Sequence, residues 1–172
     1  NWEFQALLKA RPIAGSAHLG EKYARAIEPF VWESAARDSF VESVQAMRAR
    51  VTDNIPAAQL ERQIKLGPGG LRDVEFSVQL LQLVHGRADE QLRMATTLEA
   101  LAALSAGGYV GREDAATLDR AYRTLRTLEH RIQLFRLQRN HVVPDDIKAL
   151  AQPVLHVDYG RSFAFDGRRV AF

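Results

Sequence analysis

An all-α fold, an antiparallel helical bundle with an irregular C-terminal tail, is what this 172-residue sequence predicts. Three observations carry that expectation. Apolar residues recur at three- and four-residue spacings over most of the chain, the period of a helix with one buried face. Glycine and proline gather mostly between those segments, as the short connections of a bundle require. The composition is 47% hydrophobic and 26% charged, which belongs to a globular chain rather than a disordered one. The length is that of one ordinary domain, enough to bury a core.

Trp2, Leu7, Leu8 and Ala10 read as the end of a helix, stopped by Pro12 and Gly15. A second helical pattern runs from roughly His18 to Ala36, with Leu19, Tyr23, Ile27 and Phe30 as its stripe and Pro29 expected to kink or divide it. A third runs from Asp38, read as its N-cap, to about Asn54, carrying Phe40, Val44, Met47 and Val51. From Arg62 to Gly70 the pattern breaks, and Gly67-Pro68-Gly69-Gly70 must be a turn. From Leu71 to His85 the helical signal returns apolar nearly all round, which predicts a central, buried helix. Its few charges, Arg72, Asp73 and Glu75, crowd into the first turn.

Gly86 ends that helix, and a polar connector follows to Arg93. Thr96 or Thr97 can cap a short helix to Ser105, stopped by Gly107-Gly108. The longest pattern, from about Arg112 to Gln138, has Leu118, Tyr122, Leu125, Leu128, Ile132 and Phe135 as its seam. At ~1.5 Å per residue it would be roughly 40 Å long and brace the bundle. Its arginines read as a solvated outer face or, alternatively, as a docking surface for an acidic partner. After Pro144 the period fades. Tyr159-Gly160-Arg161-Ser162-Phe163-Ala164-Phe165-Asp166-Gly167-Arg168-Arg169 reads as strand or coil, with Asp166-Gly167 as a hairpin turn.

Several function classes are set aside by composition. The net charge is only +2, and no basic run is interleaved with stacking aromatics, so nucleic acid is not expected as a partner. No stretch is apolar for long enough to span a bilayer, so no membrane role is expected either. Cysteine is absent, which excludes disulfides and thiolate metal sites and fits a cytoplasmic protein. His18, His85, His130, His141 and His156 show no zinc-protease pairing and read as surface or helix-terminal residues. Gly15-Ser16 is followed by Ala17 and His18 rather than by paired aspartates, so it is a turn and not a metal-binding motif. Asn1 to Lys9 lack a signal-peptide pattern and an initiator methionine, and the chain is expected to begin inside a longer protein.

The sharpest chemical feature is Ile64-Lys65-Leu66-Gly67-Pro68-Gly69-Gly70-Leu71-Arg72-Asp73-Val74-Glu75-Phe76. A glycine-rich turn opening a helix presents backbone N–H groups at the positive end of the dipole, a natural place for an anion. Lys65 and Arg72 flank it and can add charge-assisted bonds to a phosphate. It is neither a Walker loop nor Gly-x-Gly-x-x-Gly. The bland reading stays open beside this one. Asp73 and Glu75 are favoured near the first turn by ~0.3–1 kcal/mol each without any function, and Arg72, which opposes the dipole, can be neutralised by Glu75 three residues on.

Three stretches together resemble one family. Trp2-Glu3-x-Gln5-Ala6-Leu7-Leu8-Lys9-Ala10-Arg11-Pro12-Ile13-Ala14-Gly15 resembles the segment just downstream of the nucleotidyltransferase domain in bacterial glutamine-synthetase adenylyltransferases. The Ile64 to Gln79 stretch, with its Lys-Leu-Gly-x-Gly-Gly-Leu-Arg-Asp-Val-Glu-Phe core, is similar to the hallmark of that family's helical domain. Tyr122-x-x-Leu125-Arg126-x-Leu128-Glu129-His130-Arg131-Ile132-Gln133 looks like its final bundle helix. The matches cover residues 1–144, and Leu83-Val84-His85-Gly86-Arg87-Ala88-Asp89 resembles the actinobacterial form.

The resemblance implies a bifunctional parent enzyme that adenylylates and deadenylylates glutamine synthetase, using ATP and Mg²⁺ under control of the PII signalling protein. It implies that residues 1–15 end a linker helix from an upstream nucleotidyltransferase domain, 16–143 form the bundle, and 144–172 form a divergent tail. The Leu-Gly-x-Gly-Gly-Leu-Arg form resembles the adenylyl-removing half. Lys65, Gly67, Gly69, Gly70, Arg72, Asp73 and Glu75 would then face the nucleotide phosphates. The catalytic, metal-binding carboxylates would lie upstream of Asn1, leaving no catalytic or metal residue in this segment and the isolated chain inactive. The alternatives are a non-catalytic docking module for PII or glutamine synthetase, or the helical domain of a PII uridylyltransferase relative.

Overall fold

A computed structural model describes residues 2–36, 38–137 and 139–144. The hairpin reading at residues 159–169 and the tail from residue 145 lie outside the described residues, as does the Phe135 side chain. The described chain is an all-helical bundle. Six α-helices follow in order: α1 Trp2–Leu7, α2 Ala17–Trp32, α3 Phe40–Asp53, α4 Leu71–His85, α5 Thr97–Ala106 and α6 Arg112–Arg136. Short 3-10 turns, Ser34–Ala36, Ala57–Arg62 and Glu90–Leu92, fill three of the connections.

Helix α4 is the axis of the bundle, as its all-round apolar surface predicts. It packs against α1, α2, α5 and α6. Three apolar clusters sit along it. Val78 joins Leu92, Ala100, Leu101 and Leu104 on the α5 side. Leu83 joins Val31, Phe40 and Val44 on the α2–α3 side. Leu71 and Val74 meet Tyr122 of α6 near the glycine turn. Burying each such side chain is worth about 1.5–3 kcal/mol, so α4 orders its neighbours mainly through area removed from water. Gln82, fully buried on the same helix, donates from Nε2 to the carbonyls of Leu92 at 2.7 Å and Met94 at 3.0 Å, fastening the connector to the core.

Capping explains most helix boundaries. Thr96 is the N-cap of α5: its Oγ1 accepts from the Glu99 amide at 3.3 Å and donates to the Glu99 carboxylate at 2.7 Å. Thr96→Ala is expected to cost about 1 kcal/mol, read as a shift of the urea midpoint at unchanged slope. Helix α3 departs from expectation. Its N-cap is Ser39 rather than Asp38, in a left-handed conformation (φ 55°) with no side-chain capping bond; Asp38 lies one residue back in the preceding turn, too early to reach the first amides.

Helix α2 departs more. Pro29 neither divides nor ends it, because it falls in the last turn, where only the single bond it cannot donate is lost. The helix stops at Trp32 and passes into the 3-10 turn instead of running on to Ala36. Three of the four residues of its expected stripe face outward: Leu19, Tyr23 and Phe30 are 67%, 49% and 60% exposed, while Ile27 is half-buried and Val31 is buried. The cause is tertiary. Helix α2 meets the bundle through α1, α4 and the following turn, and the residues that reach them are at its C-terminal end.

Candidate functional site

The glycine turn is held from three directions. Ile64 donates its amide to the carbonyl of His141 and Val143 donates to that of Arg62, so residues 141–143 lie as a short antiparallel rung against residues 62–64. On the other side Arg48 of α3 pairs with Asp73 Oδ1 and donates from Nη2 to the Gly67 carbonyl at 3.1 Å. Asp73 Oδ2 accepts the Gly69 amide at 2.7 Å. Gly69 has φ +70°, a region where side-chain-bearing residues are strained.

The amides at the start of α4 have partners inside the turn. Gly70 donates to Gly67, Leu71 to Ile64, Arg72 to Lys65 and Asp73 to Gly70. The N–H groups that the sequence pattern left free thus close the turn on itself, and Gly67, Gly69 and Gly70 appear in it as backbone geometry. Asp73 is the link between that turn and α3.

The remaining charges converge on the α4–α6 seam. Lys65 Nζ donates to Glu129 Oε1 at 2.9 Å. Arg126 donates to Glu129 Oε2 at 2.6 Å and to Glu75 Oε1 at 2.5 Å. Glu75 Oε1 also accepts from the Tyr122 hydroxyl at 3.2 Å, and Oε2 accepts from Arg72 Nη1 at 3.3 Å. The Arg72 guanidinium lies 5.4 Å from the Phe76 ring centroid. His141 Nδ1 sits 3.1 Å from Glu129 Oε1 and 3.2 Å from Gln133 Nε2. From the chain's N-terminal side Lys9 enters the neighbourhood, donating from Nζ to Thr97 Oγ1 at 2.6 Å. Gln5 of α1 donates to Gln79 of α4 at 3.0 Å, fixing α1 alongside.

Electrostatics follow from that geometry. Burial pushes the Glu129 carboxyl up, yet hydrogen bonds and charge from Lys65 and Arg126 outweigh it and hold the group below the ordinary range. Burial works against the Arg126 charge, and bonds to Tyr122 and Glu129 with the nearby Glu75 more than offset it. Burial, with the Lys65 charge, lowers His141, which favours the neutral ring despite Glu129. Burial likewise lowers Lys9, with Glu75 pulling the other way and Arg126 and Arg72 reinforcing it. Among the described residues no group of three or more His, Cys, Asp or Glu is placed to hold a metal. A shallow groove of about 750 Å³ between α5 and α6 includes none of these residues.

The structure therefore brings Lys65, Arg72 and Glu75 into one cluster, and sets Asp73, in the first turn of α4, apart from it against Arg48 of α3. Sequence reading missed Lys9, Arg48, Tyr122, Arg126 and Glu129 as parts of this site. One signal was present: Tyr122, Arg126 and Glu129 share the stripe that carries the apolar seam of α6, and an acid and a base on that face require partners. Arg126 is accordingly not part of a solvated arginine face, and His141 is neither a surface nor a helix-terminal histidine.

The bundle and its cross-braced glycine turn define a class. The model of the family described as GlnD PII-uridylyltransferase matches residues 39–162, and the chain belongs to that family. Relatives of high identity carry an adenylyltransferase name. The bifunctional glutamine synthetase adenylyltransferase/adenylyl-removing enzyme of Streptomyces avermitilis is 70% identical over 145 residues, covering 84% of this chain and 14% of that protein. Those of Leifsonia xyli and Mycobacterium tuberculosis are 63% and 62% identical, with the same two coverages. The chain thus corresponds to part of such an enzyme and spans about 14% of the length of these relatives. No helix among the described residues is long and apolar enough to cross a membrane.

Proposed function

We propose that this chain is the helical domain flanking a nucleotidyltransferase active site in the cytoplasmic enzyme that adenylylates and deadenylylates glutamine synthetase, and that it serves the adenylyl-removing half. The observation that carries this reading is the 70% identity to such an enzyme across 84% of the chain. In that frame residues 1–15 close a linker from the upstream catalytic domain, 16–143 are the bundle, and 144–172 are its divergent tail. ATP and Mg²⁺ belong to the parent, whose carboxylates lie upstream. Glutamine synthetase and the PII signalling protein are the parent's partners.

The bundle's part is to present cations to nucleotide phosphates from a rigid wall. Of the residues assigned to that face, Lys65, Gly67, Gly69, Gly70, Arg72, Asp73 and Glu75, only Arg72 combines an exposed head with spare donors. Its side chain is 40% exposed, and one N–H of the five is used on Glu75. The turn, Asp73, Glu75 and Lys65 act by holding the wall in shape. In the full-length parent, Arg72→Ala is expected to slow phosphorolytic deadenylylation about tenfold or more, the worth of a charge-assisted hydrogen bond. Unchanged kinetics in a folded Arg72→Ala enzyme would defeat this assignment.

A further inference from the structure

Helix α2 is amphipathic, yet the bundle uses little of its apolar side. Leu19, Tyr23, Ile27 and Phe30, at spacings of four, four and three, fall on one face, with His18, Glu21, Arg25 and Glu28 on the opposite one. From Ala17 to Phe30 every residue is exposed except Gly20 and Ile27, which are half-buried. At its C-terminal end Val31 is buried in the cluster that holds Leu83 and Phe40. At Gly20 it meets the link from α1, where a Cβ would come within 2.6 Å of Pro12 Cβ. The next residue of that link, Ile13, is 87% exposed. Leu19, Tyr23 and Phe30 continue from there as an uncovered apolar stripe roughly 16 Å long.

A lone helix of this length is marginal in water, and Gly20 and Pro29 lower the helical propensity of this one further. Its stability has to come from its apolar face meeting another surface, and large apolar side chains gathered on one exposed face mark such a contact. Two facts indicate which surface. The matched family model begins at residue 39, after α2 has ended, so the bundle proper starts with α3. The 145 residues shared with the Streptomyces avermitilis enzyme are more than lie from residue 39 to Phe172, so the shared sequence reaches back into α2. Helix α2 thus belongs to these longer chains but not to the matched bundle. The match covers 14% of that enzyme, which leaves most of a large polypeptide to supply the covering surface.

We infer that Ile13, Leu19, Tyr23 and Phe30 form an interdomain seam, which seats an apolar face of the domain preceding the bundle in the parent polypeptide. A tethered partner is present at high effective concentration, and the link that carries Pro12 and Ile13 enters beside the stripe, so the preceding domain is favoured over any separate molecule. The seam sets orientation: contact along α2 is carried through Val31 to Leu83 of α4, the helix that opens with Arg72. The inference rests on the reading above in one respect, that a nucleotidyltransferase domain comes first. It moves α2 from the bundle, where the 16–143 boundary places it, to the border between two domains.

The test is hydrogen–deuterium exchange of the full-length parent beside the 172-residue chain, with a photoreactive cross-linker placed at position 23 of the parent. Amides of α2 are expected to exchange at least tenfold more slowly in the parent. The paired change Leu19→Ser and Phe30→Ser is expected to restore fast exchange there while leaving α5 as it was. The cross-link is expected to land in sequence that precedes Asn1. Equal exchange of α2 in the two wild-type proteins overturns the seam without recourse to any variant. Cross-links between two copies, or to sequence beyond Phe172, overturn it as well, as does protection that appears only when a separate protein is added. Deadenylylation by Arg72→Ala plays no part in these measurements, so a failed seam leaves the phosphate-facing reading standing, and failure of that reading leaves the seam.

Discussion

Glu129→Ala is expected to destabilise the chain by about 3 kcal/mol at neutral pH. Glu129 is 2% exposed and is the common acceptor for Lys65 and Arg126, with His141 against the same oxygen as Lys65. Removing one partner of a buried pair typically costs about 3–5 kcal/mol, because the opposite charge is left without compensation. The lower end applies here, since the Lys65 and Arg126 side chains are 23% and 34% exposed and can turn toward water. The pH dependence has a definite sign. Glu129 is held below its ordinary range in the folded chain, so its contribution is complete above the unfolded carboxyl value of about 4.3 and is lost as pH falls through the folded one. Urea unfolding of wild type and Glu129→Gln should therefore show a gap at pH 7 that narrows in acid. A gap below about 1 kcal/mol at neutral pH would show that the network contributes little.

Gly67→Ala is expected to cost about 1–3 kcal/mol, and to do so by a different route. A Cβ built at Gly67 would come within 2.4 Å of the Gln63 carbonyl oxygen and 2.9 Å of that of Leu60. Both are backbone atoms of the preceding 3-10 turn and its end, so no flexible side chain can yield. Movement there also disturbs the bond from Arg48 to the Gly67 carbonyl, and through Arg48 the clamp on Asp73. Gly69→Ala is the informative comparison. It has open space around its Cβ position but a φ of +70°, so only the backbone strain of about 1 kcal/mol applies. Thermal denaturation of the two variants should rank Gly67→Ala as the more damaging. The reverse order would mean that turn conformation, not close approach, dominates.

The parts that could be read from sequence were those governed by local rules. Helices α3 to α6 lie within a residue or two of their periodic patterns, and Thr96 caps α5 through atoms three residues away. Central burial of α4 was legible because its own side chains are apolar on nearly every face. Burial of α2 was not, because whether Leu19 and Phe30 meet anything depends on which other elements surround that helix. The candidate site divides in the same way. The Lys65 to Glu75 stretch announced itself by glycine and charge, but its partners are remote in the chain: Glu129 for Lys65, Arg126 and Tyr122 for Glu75, Arg48 for Asp73. No periodicity argument reaches those pairings. Glu129 and Arg126 on the apolar stripe of α6 are the available clue, but the sequence reading places the arginine on a solvated face and gives the acid no role.

The rung that joins residues 62–64 to 141–143 has a kinetic consequence. It closes a loop of about 80 residues with two backbone bonds, and the entropy of that closure grows with the logarithm of loop length. Such a contact gains nothing until α4, α5 and α6 have already brought its ends together. It therefore forms late in folding and opens early, on a path that leaves the helices standing. His141 leaves Glu129 in the same opening, so water can take its place beside that carboxylate without the bundle unfolding.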